Sequence, residues 1–298
     1  MLFSSCSPEK PETATKGHLH VFIPESVAPA ILEQVREFLI IYGKNGAEVS
    51  YTITTTEEAI TRFLHDTTRL IFSTRKLTEE ERVIAKRKTG VVIEIPVAYD
   101  ALVAVVHFKN PLERIMTPEL KGILTGSLTR WEQLSQAKGM QGTITIYVQD
   151  SSDVSEYLQR RILRGSAMRQ RFRRMSSSLQ TLQAVVQDPS SIGFVGLDWI
   201  DSAKVPAKVL EIAEPDEQAD TTFRPPIETV GKFYPPHPAN IYRNYYPLKR
   251  AIYLYTTSQR GDVASGFGSF VANKEGQRIF LKRGLVPGTQ PIRLKPLE

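Results

Sequence analysis

The sequence predicts an α/β fold of two lobes, each a mixed, mostly parallel sheet flanked by helices. Strand and helix patterns alternate along the first hundred residues, and a second alternating unit follows. Two apolar strand-like segments, near Val97–Val105 and Tyr246–Tyr255, have the pattern of crossings between the units. At 298 residues the chain is long enough for two medium domains. We therefore expect residues 17–100 plus 248–298 to form lobe 1 and residues 101–247 to form lobe 2.

The first unit alternates between short strands and helices. Apolar residues recur at helical spacing from Ile31 to Tyr42, and Gly43 is a typical helix end. Thr54–Thr56 is available to cap the next helix. The predicted strands are 18–24, 48–53, 69–73, 91–95 and 102–107, and the predicted helices cover 31–42, 55–64 and a stretch that opens at 78–81.

The second unit opens with the most informative stretch of the chain, residues 110–134. Thr117 is a predicted N-cap, Pro118 suits the first helical position, and Gly126 ends the helix. Trp131 then predicts a segment held by aromatic burial. The remaining predicted elements are strands at 143–148, 192–197 and 251–255, helices at 156–164, 266–271 and 275–281, and a Pro-rich excursion over 213–240.

The net charge of +6, from 38 basic and 32 acidic residues, fits an anion-binding protein or a protein with an anionic surface partner. Seven arginines fall within residues 160–174. They could attract nucleic acid or anionic lipid, but only Phe172 is interleaved as an aromatic, which favours a solvated helix face. We therefore expect no nucleic-acid partner. No apolar run reaches the roughly 18 residues of a membrane span.

Cys6 is the single cysteine, so the sequence predicts no internal disulfide. Small residues precede it, as they precede the lipid-modified cysteine of bacterial lipoproteins, although the charged start and long apolar run of a full signal are missing. The alternative is an incidental N-terminal cysteine. Residues 7–16 are polar and Pro-rich, the composition of a flexible tether. Residues 1–16 are therefore expected to be a signal remnant and tether.

Five further motifs occur in order along the chain: Arg69–Thr78, Ala98–Leu102, Ser191–Gly196, Tyr246–Tyr255 and Gly276–Pro287. Together with residues 110–134, they resemble the substrate-binding proteins of phosphate ABC transporters, which have the type II periplasmic binding protein fold. The resemblance runs from about residue 18 to the end. The tail at 283–294 is similar to a lipoprotein branch common in Bacteroidetes-like bacteria.

The resemblance implies a protein that is not an enzyme and that uses no cofactor. It implies an extracytoplasmic solute-binding protein that captures an oxyanion, most directly phosphate, between two hinged lobes and delivers it to an ABC permease. It further implies a monomer in the periplasm, attached to the membrane only through a lipid on Cys6.

The family builds its anion site from three donor-rich loops at helix starts. The matching positions here are the turn at 25–27, the turn at 74–75 and the loop at 151–155. For Ser26 the alternative is a simple helix cap, and for Arg75 it is a surface arginine. The candidate ligand-binding residues are Ser26, Val27, Thr74, Arg75, Asp100, Ser151, Ser152, Asp153 and Ser155.

The third loop departs from the family pattern. Val154 replaces a glycine, Asp153 replaces a donor, and the family's preceding arginine is absent at Val148 and Gln149. A carboxylate here repels a dianion. Asp153 or Asp100 could instead accept the proton of hydrogen phosphate. The alternative function is a fold-retaining interaction or signalling lipoprotein with a vestigial or retuned pocket.

Enzymatic and metal-binding functions receive little support from the sequence. It lacks a P-loop, a dinucleotide fingerprint and a nucleophile elbow. His18 and His20 would share a strand face, but no third ligand stands at a supporting spacing. The sequence therefore predicts no metal site.

Overall fold

The computed structural model describes residues 11–65, 68–137, 139–168, 172–215, 223–258 and 261–291. The strands are β1 (Gly17–Pro24), β2 (Ala47–Thr54), β3 (Leu70–Ser73), β4 (Ile93–His107), β5 (Arg114–Met116), β6 (Thr145–Gln149), β7 (Phe172–Met175), β8 (Ser191–Gly196), β9 (Ala207–Val209), β10 (Glu211–Ala213), β11 (Lys249–Thr256) and β12 (Val286–Pro287).

Helices lie between most of these strands. They are α1 (Ala28–Tyr42), α2 (Thr56–Leu64), α3 (Glu79–Thr89), α4 (Thr117–Thr125), α5 (Asp153–Leu158), α6 (Ser178–Gln187), α7 (Asp198–Ala203), α8 (Pro238–Tyr242), α9 (Val263–Ala272) and α10 (Lys274–Lys282). A short 3-10 turn, Glu25–Val27, precedes α1, and a π-helical turn, Gln159–Leu163, continues α5. The α/β alternation predicted from the sequence is the one observed.

The main sheet has the strand order β2-β1-β3-β11-β4-β8-β6-β7, and β9 and β12 also pair with β4. Parallel pairing joins β1 to β2 and β3, and joins β6 to β7 and β8. The pairs of β4 with β8 and of β11 with β3 and β4 are antiparallel. We call the part from β2 to the start of β4 the first half of the sheet, and the part from the end of β4 to β7 the second half.

Strand β4 joins the two halves and differs from the prediction. Separate strands at 91–95 and 102–107 were expected, with Pro96 and Asp100 between them, but one continuous strand runs from Ile93 to His107. Pro96 is tolerated because it lies opposite Tyr253, where the pairing with β11 shifts register, so a regular ladder is already interrupted there. Asp100 remains extended because its side chain is paired with Arg250 of β11.

Each half of the sheet has its own apolar core. Val97 and Ala98 of β4 pack into the core of the first half, with α1 and α9. Ala101 and Leu102, only a few residues later, pack into the core of the second half. The boundary between the two cores therefore crosses β4 near Asp100. A smaller apolar cluster lies under α2 and α3.

Residues 110–134 form the scaffold expected of them, with one correction at the helix start. Thr117 is the first residue of α4 and Met116 is the N-cap; the Met116 amide donates to Glu119 Oε2 at 3.0 Å. The Thr117 hydroxyl instead donates to the buried Glu214. Trp131 is buried in the second core, as predicted. This segment therefore supports the second half from outside the sheet.

The flexible tether expected over residues 7–16 does not hold for residues 11–16. Glu12 accepts hydrogen bonds from both terminal nitrogens of Arg69 at 2.9 Å, and Thr13 bridges to Lys16. Gly266 of α9 lies against Ala14 so closely that a Cβ atom there would be 1.8 Å from the Ala14 carbonyl oxygen. Glu12 and Ala14 therefore attach this segment to the first half, although residues 11–14 remain exposed. Cys6 lies outside the described residues.

The arginine-rich segment is only partly the solvated face expected. Arg161 is buried, where it binds Glu214 at 2.8 Å and stacks on Phe223. Arg169 and Arg171 lie outside the described residues, whereas Arg173 and Arg174 are exposed on β7. In the described part of the chain, every helix is too short or too polar to cross a bilayer.

Candidate functional site

The loops that follow β1, β2, β3 and β6 meet at one place between the two halves of the sheet. Parallel strands present their carboxyl ends at one edge, where the loops of an open α/β sheet commonly build a site. Ser26 follows β1, Thr56 follows β2 and Thr74 follows β3. Asp153 comes from the other half, at the start of α5 after β6. All four residues are buried.

The Asp153 carboxylate occupies the centre of this meeting point. Its Oδ1 accepts a hydrogen bond from the Thr56 backbone amide at 2.7 Å. Its Oδ2 accepts one from the Ser26 hydroxyl at 3.2 Å. Thr56 is the first residue of α2, so its amide belongs to the partly positive end of that helix. The chain's own carboxylate therefore holds a position suited to an anion.

A pair of threonines fixes the α2 end of the site. The Thr74 amide donates to Thr56 Oγ1 at 3.0 Å, and the two hydroxyl oxygens are also 3.0 Å apart. The preceding Thr55 caps α2 by accepting from the Glu58 amide. These bonds hold the Thr56 amide in place, so the donor that reaches Asp153 is preorganised.

A buried ion pair supports the other side of the site. Arg250 donates through Nε at 2.8 Å and Nη2 at 2.6 Å to Asp100 Oδ2. The same guanidinium donates to the Ser26 hydroxyl oxygen at 3.2 Å and to the Ser26 carbonyl at 3.1 Å. Burial raises the pKa of Asp100, and the charge of Arg250 opposes that rise. Arg250 therefore positions Ser26 while it neutralises Asp100.

Gly196, at the end of β8, closes over this network. A Cβ atom on Gly196 would lie 2.3 Å from the Ser26 carbonyl oxygen and 2.8 Å from Arg250 Nη2. Only a residue without a side chain can make this approach. The last glycine of the Ser191–Gly196 motif thus allows the second half of the sheet to contact Ser26.

The Ser152 and Ser155 hydroxyl groups of the loop at 151–155 form hydrogen bonds within the loop or with Gln149 before it. Ser151 has a left-handed backbone with φ of 48°. The Ser152 hydroxyl accepts from the Ser155 amide at 3.2 Å and donates to the Gln149 carbonyl at 2.7 Å. The Ser155 hydroxyl accepts from the Ser152 amide at 2.9 Å. This turn directs Asp153 towards Ser26 and Thr56.

Arg75 is bound by two glutamates. Its Nε donates to Glu57 at 2.6 Å, and its two terminal nitrogens each donate to a Glu81 carboxylate oxygen at 2.8 Å. These contacts raise the pKa of Arg75 above its usual range, despite its partial burial. The predicted role of Arg75 as an anion clamp stays a prediction. It would require the guanidinium to leave one of these partners.

The negative charge around the site is considerable. Burial raises the pKa of Glu156, and the nearby carboxylates of Glu57 and Asp153 raise it further. A dianion entering next to Asp153 would add to this repulsion. An incoming oxyanion would therefore fit best where the Asp153 carboxylate now lies, with Asp153 moved aside.

The structure thus brings together four of the nine candidate ligand-binding residues: Ser26, Asp153, Thr74 and Asp100. Val27 is buried directly after Ser26, as the N-cap of α1. The sequence prediction did not name Thr56 or Arg250. Thr56 belongs to a Thr-rich helix start, and Arg250 is the arginine in the "YPL.R" part of the Tyr246–Tyr255 motif.

The histidines considered for metal binding have other partners. His18 and His20 both lie within hydrogen-bond distance of Ser50 on β2, and His20 also reaches Thr52. Among the described residues, His, Cys, Asp and Glu form no group of three or more that could hold a metal ion.

Comparison with known proteins identifies the family. The model of the PBP superfamily domain matches residues 8–275 of this chain. The chain belongs to the PBP superfamily. A curated relative, "Protein SphX" from Synechococcus elongatus, is 27% identical over 291 residues, which cover 94% of this chain and 79% of the relative.

Solved structures confirm the two-lobed type II fold of this PBP superfamily member. A Clostridium perfringens structure with bound phosphate, described as a phosphate ABC transporter substrate-binding protein, aligns with a TM-score of 0.71 at 16% identity. It covers 91% of this chain and 99% of the other. An ABC-type phosphate transport receptor from Vibrio cholerae aligns with a TM-score of 0.64 at 18% identity, covering 91% and 100%.

Proposed function

We propose that this chain is an extracytoplasmic solute-binding protein that captures an oxyanion, most directly phosphate, for an ABC transporter. The observation that carries the proposal is the coordination of Asp153. The Ser26 hydroxyl and the Thr56 amide already bind a carboxylate between the two halves of the sheet. Groups that bind one oxyanion through neutral donors can bind another of similar size.

The mechanism follows from the same donors. A phosphate oxygen replaces the Asp153 carboxylate at the Thr56 amide and the Ser26 hydroxyl. The two arginines that adjoin these loops are already committed, Arg250 to Asp100 and Arg75 to Glu81. The entering anion is therefore held by oriented hydrogen bonds at a helix end. Solved relatives of the same fold, from Clostridium perfringens and Vibrio cholerae, are described as phosphate proteins, which supports phosphate as the ligand.

The division into lobes is part of the proposal. Residues 17–100 with 248–298 form lobe 1, and residues 101–247 form lobe 2. The change of core between Ala98 and Ala101 on β4 supports this boundary. Closure is then a hinge motion about the two connections near β4 and β11. We further propose a monomer that carries out no catalysis and is held at the membrane by a lipid on Cys6.

Isothermal titration calorimetry tests the proposed ligand. Protein that has been unfolded and refolded, to remove bound anions, is titrated with phosphate, sulfate and molybdate. The wild type and Asp153→Gly are compared, with Asp150→Asn as the control, because Asp150 adjoins the same loop but pairs with the exposed Arg174. Heat with phosphate in the wild type supports the proposal. A folded wild type that gives no heat with phosphate would contradict it, whether or not Asp153→Gly gives heat.

One observation favours a second function. Asp153 is 2% exposed and fills the place suited to an anion. That arrangement also fits an interaction or signalling protein that keeps the fold with an occupied pocket. The two functions differ in the wild type: a transport protein binds phosphate, whereas the second function requires that only Asp153 variants bind it.

A further inference from the structure

Two carboxylates, one from each half of the sheet, each bind the start of a helix in the other half. Asp153 belongs to the second half and binds the first residue of α2, in the first half. Glu25 belongs to the first half and binds the first residue of α6, in the second half. The Ser178 amide donates to Glu25 Oε1 at 2.9 Å, and the Ser178 hydroxyl donates to Oε2 at 2.8 Å.

Both contacts meet on one short turn. Glu25 and Ser26 are neighbours in the 3-10 turn before α1. The Glu25 carboxylate accepts hydrogen bonds from Ser178 of α6, and the Ser26 hydroxyl donates a hydrogen bond to Asp153. The indole nitrogen of Trp199, from the second half, also donates to the Glu25 carbonyl at 3.0 Å. The turn is thus tied to the second half at three points.

The partners of the two carboxylates are neutral. Each carboxylate lies at the first turn of a helix, α2 of nine residues and α6 of ten, where backbone amides favour negative charge. Burial raises the pKa of Glu25, and the charge of Asp153 contributes to that rise. The two carboxylates therefore repel each other, and the hydrogen bonds at both helix starts hold them together.

We propose that Asp153 and Glu25 form a reciprocal latch that closes the two lobes without solute, with Asp153 serving as the intramolecular ligand of the oxyanion site. This inference rests on the lobes and the anion site of the proposed function. In a binding protein closed by its solute, contacts of the solute with both lobes drive the closure. Here the side chain of Asp153, from lobe 2, makes those contacts with lobe 1. The side chain of Glu25, from lobe 1, makes equivalent contacts with lobe 2.

The latch has two consequences. The closed form is populated in the absence of phosphate, because its interlobe hydrogen bonds need no external anion. Phosphate must displace Asp153, so the measured affinity is the affinity of the free site multiplied by the fraction of molecules in which the site is free. A free-site population of about 10% or less corresponds to an affinity at least about tenfold weaker than that of the unlatched site.

Small-angle X-ray scattering in phosphate-free buffer tests the closure. The variants are Asp153→Ala, Glu25→Gln and the double variant, with Asp150→Asn as the matched control. Asp150 adjoins the same loop, and its substitution by asparagine also removes one negative charge. Unlike Asp153, however, Asp150 pairs with Arg174 at the surface. We expect the radius of gyration to increase in Asp153→Ala and further in the double variant, and to stay at the wild-type value in Asp150→Asn. Circular dichroism confirms that each variant is folded.

The two arms of the experiment separate the latch from the ligand. If the folded double variant has the wild-type radius of gyration in phosphate-free buffer, the latch is overturned, whatever the calorimetry shows. If the variants open but none of them binds phosphate, the latch stands and phosphate is the wrong ligand. If they open and Asp153→Ala binds phosphate at least about tenfold more tightly than the wild type, both are supported.

Discussion

Asp100 and Asp153 are both buried carboxylates connected to Ser26, Asp100 through Arg250 and Asp153 directly, yet their surroundings differ. Asp100 receives two hydrogen bonds from one cation, Arg250, at 2.6 and 2.8 Å. Asp153 receives its bonds from a hydroxyl and a backbone amide, both neutral. One carboxylate is neutralised by the protein, and the other is held by oriented dipoles.

This difference separates the scaffold from the exchangeable part of the site. If Asp100 left its place, the buried Arg250 would lose its counter-charge, which is costly in a protein interior. If Asp153 left its place, the hydroxyl and amide could bind water or another anion in its stead. Substitutions at Asp100, Gly196 and Asp198 test this distinction.

Replacing Asp100 by alanine should lower the free energy of unfolding by about 3–5 kcal/mol, because Arg250 would remain buried without its partner. Urea denaturation measures the loss. Glu58→Ala is the control, because it breaks an exposed pair with Arg62 and should cost no more than about 1 kcal/mol. Equal losses in the two variants would show that Asp100 is not the fixed charge we describe.

Replacing Gly196 by alanine should lower the free energy of unfolding by about 1–3 kcal/mol, because the new methyl group overlaps the Ser26 carbonyl. The strain acts on Ser26 and Arg250 together and should also weaken phosphate binding. Gly43→Ala is the control: no atom lies within 4 Å of its Cβ position, and its φ of −59° suits alanine. We expect Gly43→Ala to be neutral or slightly stabilising. A fully stable Gly196→Ala would argue against the close approach of β8.

Asp198 provides a test of whether burial or an ion pair determines the protonation state of a buried carboxylate. Burial raises its pKa from 3.8 to about 7, although Arg283 binds it at 2.5 Å and opposes the rise. Because the folded state then holds this proton more tightly than the unfolded chain, its contribution to stability is full below about pH 4. That contribution is lost as the pH rises through 7.

The measurement is the free energy of unfolding from pH 4 to pH 8 in the wild type and in Asp198→Asn. The wild type should lose stability relative to the variant by at most about 1.4 kcal/mol for each pH unit in this range. Asp201→Asn serves as the control, because Asp201 is exposed on the same helix. Parallel curves for the wild type and Asp198→Asn would mean that Arg283 keeps Asp198 ionised throughout.

Local patterns were sufficient for most of the elements. The helix with apolar residues from Ile31 to Tyr42 was predicted from spacing alone, and α1 ends at Tyr42. The predicted break in the strand near Pro96 was wrong, because the feature that allows the strand to continue through Pro96 is not local in sequence. A register shift in β11, more than 150 residues away, makes room for that proline. Residues 11–16 were misread for the same reason, since their partners Arg69 and Gly266 are distant in sequence.

For the site, residue types were easier to predict than partners. Ser26 and Asp153 were named because their loops match the anion-site loops of the family that the chain resembles, and the structure joins them at 3.2 Å. Arg75 was named because it lies in the turn at 74–75 that matches the family and because arginine can clamp an anion, but Glu57 and Glu81 bind it in the fold. A pattern of residues indicates which side chains can donate. It does not indicate which acceptors surround them.

The alternating α/β architecture, the family motifs and the unusual carboxylate in the loop at 151–155 can be read from the sequence, because they depend on spacing and residue type. The role of that carboxylate depends on its partners in the folded chain. Asp153 and Thr56 are 97 residues apart and meet at 2.7 Å only when the two halves of the sheet close together. A charge can act as a ligand, a repulsive group or a latch, and the donors that the fold places around it determine which.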